Sequence, residues 1–134
     1  MILGFKQQFP DGTPTDFERK ILDFEKIHSI RNGFRWRPGM SIQMAFGVRT
    51  KNYRQFNAGQ FQPQKCLFVQ KIYMEYEGFK WPKMWIAGKQ LSQKTVKQLI
   101  KNDGLTKKQF IDWFFPGTIA KFHGQIIHWT DFKY

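Results

Sequence analysis

Fifteen Phe, five Trp and four Tyr crowd a chain of 134 residues. Rings in that number cannot all stay in water, so most of the Phe side chains are expected to fill a core. The chain is long enough for one such core and too short for two. Apolar residues make up 41% and charged residues 24%, which places the sequence with globular domains and away from disordered ones. No internal repeat, low-complexity tract or linker divides it, so residues 1–134 are read as one domain.

Gly and Pro then set the grain. Residues 10–14 (Pro-Asp-Gly-Thr-Pro), Asn32-Gly33, Pro38-Gly39 and Pro116-Gly117 mark turns. Short extended segments lie between them: 1–5, 27–31, 41–48, 66–77, 83–87 and 125–132. Within 66–77 the alternation changes phase at Gln70-Lys71, which predicts a bulge. Three helices are expected. Thr15 with Glu18 reads as a capping box ahead of Phe17, Ile21 and Phe24. Ser92 caps a helix presenting Val96, Leu99 and Ile100 and ending at Gly104. Thr106 with Gln109 caps a third, with Phe110, Trp113 and Phe114 inward. The expected class is α+β with a mostly β core curled into a small barrel. The predicted core comprises Phe17, Ile21, Leu67, Val69, Leu99, Ile100, Phe110, Trp113, Phe114 and Ile127.

Charge is the second anomaly. Lys and Arg number 22 against 10 Asp and Glu, a net charge of +12. Residues 1–25 carry three basic and five acidic side chains, and residues 75–134 carry ten and five. Residues 26–74 carry nine basic side chains and no carboxylate. A basic excess is often just a solubilising face. Here rings alternate with the cations, at Phe34-Arg35-Trp36-Arg37 and around Arg49, Lys51, Tyr53 and Arg54, the pairing that phosphate contact and base stacking require. The implied partner is nucleic acid, with an anionic membrane surface second. Arg35, Trp36, Arg37, Arg49, Lys51 and Arg54 are the candidate contacts.

Other chemistries find little support. There is no zinc spacing of Cys and His, no P-loop, no GxGxxG and no GxSxG, so neither metal nor cofactor is expected. A carboxylate-rich magnesium site has no carboxylates to draw on. The lone Cys66, inside an apolar run, reads as a buried, inert thiol in a reducing compartment. With no spanning apolar run and no secretory leader, a soluble cytoplasmic protein is expected.

One constellation stands out. Ile21–Arg31 reads as a helix end, a turn and a Lys26-x-x-Ser29-x-Arg31 strand. Residues 36–42 (Trp-Arg-Pro-Gly-Met-Ser-Ile) turn into another strand, and Asn102-Asp103-Gly104-Leu105 follows late. The order of these pieces, from Leu3 to about Trp129, resembles the ASCH domain family of the PUA-like superfamily. The opening Phe-Pro-Asp-Gly-Thr-Pro-Thr and the segment Gly-Val-Arg-Thr-Lys-Asn-Tyr from Gly47 are similar to a subgroup of small proteins from bacteria of the Bacteroides type and their mobile elements. The resemblance implies a PUA-like β-barrel with flanking helices, and binding of RNA (rather than DNA) or of a modified nucleobase in a cleft lined by Lys26, Ser29, Arg31 and Asp103. It also implies an alternative, a metal-independent amidohydrolase acting on N4-acetylcytidine, with Ser29 as nucleophile, Lys26 as base and Asp103 as proton relay. A strict count puts Lys101 at the family's acidic position, and Asp103 is the nearest acid. On a regular strand Lys26 and His28 point one way and Ser29 and Arg31 the other, so convergence of Lys26 with Ser29 calls for a bend near Ile27. A third reading is a protein-interaction accessory factor that uses exposed aromatics.

Overall fold

The turn residues cut the chain into short pieces, and the pieces pair across long sequence distances. The computed structural model describes residues 1–78 and 80–134. Its strands are β1 (Ile2–Phe5), β2 (His28–Asn32), β3 (Gln43–Phe46), β4 (Arg54–Gln55), β5 (Phe68–Glu75), β6 (Lys83–Ile86), β7 (Lys89–Gln90) and β8 (Lys121–His128). The helices are α1 (Phe17–Leu22), α2 (Gln93–Asn102) and α3 (Lys107–Phe114). The protein is therefore α+β, as its composition and turn spacing imply.

The expected closed barrel does not form among the described residues. The strands divide into a three-stranded sheet, ordered β1-β3-β4, and a five-stranded sheet, ordered β2-β8-β5-β6-β7. β1 runs parallel to β3, and every other pairing is antiparallel. β4 and β7 are two residues each, too short to carry a ladder around a ring. Where edge strands β1 and β2 approach, a side chain replaces the ladder: Arg31 of β2 donates to the Gly4 carbonyl of β1 at 2.6 Å.

β5 and β8 form the spine, with unbroken register from Phe68 opposite His128 to Glu75 opposite Lys121. The bulge expected at Gln70-Lys71 is thus absent. Gly124 sits where β8 passes β2, and a Cβ there would lie 2.1 Å from the Arg31 carbonyl oxygen. Only glycine fits that approach.

The core is aromatic. Phe5, Phe9, Phe17 and Trp113 meet edge to face, with centroids 5.9–6.1 Å apart. Phe17, Ile21, Leu99, Ile100, Phe110, Phe114 and Ile127 are buried as expected, whereas Val69 and Trp113 are half-buried. Leu67 is exposed because the strand begins one residue later, at Phe68. Cys66 is fully buried, and burial pushes its thiol pKa up.

Two helix starts match their sequence signals and one does not. The Ser92 side chain accepts from the Thr95 N–H, and Thr106 with Gln109 closes a complete capping box. At α1 the N-cap is Asp16 in a left-handed conformation. The buried Thr15 hydroxyl donates instead to the Lys6 carbonyl, tying the helix start to the strand before it. Phe24, expected on the inner face, lies beyond the helix end at φ +60 and is exposed.

Candidate functional site

The site grows from the end of one helix. The last carbonyls of α2 have no partner within the helix, and they mark its negative pole. α1 and the segment that joins it to β2 supply what they lack. Ile27 N–H donates to the Asn102 carbonyl at 3.0 Å. Lys26 Nζ donates to the Asp103 carbonyl at 2.6 Å, and Lys20 Nζ to the Gly104 carbonyl at 2.9 Å. Gly104 suits this position by its backbone and by its lack of a side chain. It stands at φ +77, and a Cβ there would lie 3.1 Å from Lys26 Cβ.

Side-chain chemistry is layered on that strap. Lys26 Nζ also reaches Asp103 Oδ1 at 2.9 Å, and both residues are almost wholly buried. His28 Nδ1 stands 3.3 Å from the same oxygen without hydrogen-bond alignment. On the ring's far side, His28 Nε2 is 2.6 Å from the Tyr134 hydroxyl, which accepts from Asn102 Nδ2 at 3.0 Å. Between His28 Nε2 and the Tyr134 hydroxyl either group can donate, as the imidazole tautomer decides. A second buried imidazole lies edge-on to His28, and its Nε2 meets Gln70 Oε1 at 2.9 Å: His128.

Burial dominates the electrostatics. It pushes the Lys26 ammonium down from its ordinary range, and Asp103 only partly offsets this. Burial would raise the Asp103 carboxyl, but Lys26 and His28 outweigh it and hold the group below the usual carboxylate value. His28 is pushed down by burial, again with Asp103 opposing. His128 is driven down to about 3 by burial, with His28 and Lys133 adding to the shift.

Lys26, Ser29, Arg31 and Asp103 line one small cavity. No bend within β2 is needed, because the strand begins only at His28 and Lys26 precedes it. The shared space is about 10 Å³, at the lower limit for a single water and far below a nucleobase. Ser29 is buried, and neither Lys26 nor Asp103 hydrogen-bonds its hydroxyl. Arg31 closes the cavity, its guanidinium 5.1 Å from the Phe5 ring centre and pulled down to about 10 by burial, with Asp103 opposing.

The other candidate contacts lie elsewhere. Arg35, Arg37, Arg49, Lys51 and Arg54 are all exposed. They fall into two groups. Arg49, Lys51 and Arg54 belong to the β3–β4 hairpin of the smaller sheet. Arg35 and Arg37 lie in the β2–β3 connection, where the Phe34 ring takes Lys71 of β5 at 5.5 Å. Arg54 is forked onto Glu18 at 3.0 and 2.9 Å, so an acid from outside the acid-free stretch neutralises it. Arg37 Nη1 donates to the Phe34 carbonyl. Trp36 is not available for stacking. Its indole is 2% exposed in the core, and its backbone N–H and C=O both bond the Gln125 side chain.

Sequence reasoning missed the part that His28, Asn102 and Tyr134 play. Lys26–His28 alternation signals that both could share a partner. Nothing local signals Tyr134, which lies 106 residues from the histidine it holds.

No protein-family model matches this chain, and no curated protein or solved structure matches it. Among the described residues no helix is long and apolar enough to cross a membrane, and no three His, Cys, Asp or Glu side chains are placed to hold a metal ion.

Proposed function

We propose that the protein binds RNA through an ASCH/PUA-like domain. One observation carries this reading: three cations of the acid-free stretch stand exposed in segments that also carry exposed rings, and are left without carboxylates. Arg35, Arg49 and Lys51 have no carboxylate partner among the described residues. Phe34 and Tyr53 in the same segments are 47% and 43% exposed. A +12 protein with such side chains attracts phosphates, and the rings offer faces to unpaired bases. Lys26 and Asp103 are sealed against each other, so on this reading they build the fold behind the binding surface. The test is the affinity of the protein for a labelled single-stranded RNA at increasing salt. Affinity should fall linearly on a log–log scale, with a slope of about −0.7 for each phosphate neutralised. A slope near zero, or no binding at low salt, sinks the reading.

The amidohydrolase reading has its own support, since Lys26, Ser29 and Asp103 line one cavity. Ser29 Oγ would attack the acyl carbonyl as Lys26, its amine neutral through burial, takes its proton. The proton would pass by way of Asp103 to the departing N4 amine, and water would release the acyl group from Ser29. The cavity must open to admit cytidine. Hydrolysis of N4-acetylcytidine that Ser29→Ala abolishes would establish this activity; no hydrolysis by the intact protein rejects it.

A further inference from the structure

The outer face of the five-stranded sheet carries a feature that the charge pattern does not reveal. On β5 the alternation is strict from Lys71 to Glu75: Ile72 and Met74 are buried, and Tyr73 between them points outward. β6 repeats it, with Met84 and Ile86 buried and Trp85 outward. Register then does the rest. Tyr73 pairs with Trp85 on one side and with His123 of β8 on the other. Three rings from three adjacent strands therefore form a row. Centroids are 5.4 Å apart for Tyr73–Trp85 and 4.5 Å for Tyr73–His123, each pair inclined at 38°. Tyr73 and Trp85 are half-buried, and His123 is exposed. The row floors an open groove of about 500 Å³, with Phe34 and Lys71 at its wall.

Cations rim the row. Lys71 precedes Tyr73 by two on the same face, and Lys121 and Lys83 flank Glu75 in register, Lys83 also paired with Glu77 at 3.1 Å. Glu75 accepts the Tyr73 hydroxyl at 2.6 Å, which fixes the ring. Phe34 also ties this face to Arg35 and Arg37 of the acid-free stretch. A neutral sugar would use the rings but gain nothing from the lysines. A strand of unpaired bases uses both, because every base has a face to stack and a phosphate beside it.

We infer that the Trp85–Tyr73–His123 row is a stacking platform for the bases of single-stranded RNA, with Phe34 and Lys71 as its wall. The inference rests on the RNA-binding reading and names the subsite that reading lacks.

The test compares a fluorescein-labelled oligouridylate with a base-free (abasic) oligomer of equal length. Trp85→Ala and Tyr73→Ala should each weaken oligouridylate binding by roughly 5- to 150-fold, the range for one lost stacking partner. Neither should change binding of the abasic oligomer or the salt slope. Trp85→Phe should retain most of the affinity, and Tyr73→Phe should bind as the wild type does. His123→Ala, at an exposed ring, reports the same effect should Trp85→Ala fail to fold by circular dichroism. If the ring variants bind oligouridylate like the wild type, while Arg35→Gln with Lys51→Gln weakens it, the platform is overturned and RNA binding stands. Wild-type protein that binds neither oligomer at low salt overturns both. Tighter binding of a neutral oligosaccharide than of oligouridylate also overturns the platform.

Discussion

Lysine, histidine and tyrosine occur together in two places in this molecule, with opposite consequences. At the end of α2, Lys26, His28 and Tyr134 are drawn inward around Asp103, and of their side-chain polar atoms all but His28 Nδ1 are hydrogen-bonded there. On the outer face of the larger sheet, Lys71, His123 and Tyr73 stand in the same chemical company, with the two rings side by side along an open groove. Tyr73 anchors its hydroxyl on Glu75 and packs its ring between Trp85 and His123. Residue type does not separate the two regions. Each has a carboxylate, Asp103 inside and Glu75 outside, and what separates them is burial and the helix end that turns the inner groups onto one another. The inner cluster is a fastening and the outer row is an open surface, so perturbing each should affect different measurements.

The largest effect should come from unpairing the inner cluster. Asp103→Ala leaves the Lys26 ammonium buried without its counter-charge and should cost about 3–5 kcal/mol in urea denaturation. Lys26→Met strands the carboxylate and should cost a similar amount. The double variant Lys26→Met, Asp103→Leu should cost much less than the sum of the singles, because no lone charge remains. Additive losses would show that the two groups do not act as a pair.

Acid should come next. His28 and His128 are neutral in the fold, and both are pushed below the ordinary histidine value of 6.5, His128 to about 3. Below pH 6.5 the unfolded chain takes up protons that the folded chain refuses. Stability therefore falls as pH drops, by up to about 1.4 kcal/mol per pH unit for each histidine. Between pH 6.5 and 5 His128 alone should cost about 1–2 kcal/mol, His28 adds a loss of the same sign, and for His128 the loss continues towards pH 3. Asp103 is held below its ordinary value, so its contribution persists through this window and does not confuse it. Denaturation midpoints at pH 7, 6 and 5 give the slope. A flat profile, or the wild-type slope in His128→Gln, contradicts the buried neutral imidazoles.

The smallest effect on stability belongs to the exterior. Arg35→Gln with Lys51→Gln removes two exposed cations and should leave the urea midpoint unmoved, because neither has a carboxylate partner to lose. The same variant should lower RNA affinity and flatten its salt dependence. A stability loss comparable with that of Asp103→Ala would erase the distinction between the two regions.

Legibility followed the range of the interaction. Ser92, Thr106 with Gln109, and Gly104 declared α2 and α3, because a cap is settled within four residues of chain. The same logic failed at Thr15, whose hydroxyl found the Lys6 carbonyl nine residues back. Leu67 and Trp36 show the two ways a ring or an apolar side chain escapes a local rule. Leu67 lies one residue outside its strand and is left in water, while Trp36 stands among arginines and is taken into the core.

The sequence by itself determined the α+β class, the aromatic core, two of the three helix starts and the excess of positive charge, because these depend on composition or on neighbours a few residues apart. It also marked Lys26, Ser29, Arg31 and Asp103 as belonging together. Only the tertiary structure decided how. Lys26 and Asp103 are 77 residues apart, and their contact exists because α2 ends against the entrance to β2. The division into two sheets was decided there too, as was the row from Trp85 through Tyr73 to His123. Each depends on which strand pairs with which and in what register. A one-residue slip would have turned those three rings into the core.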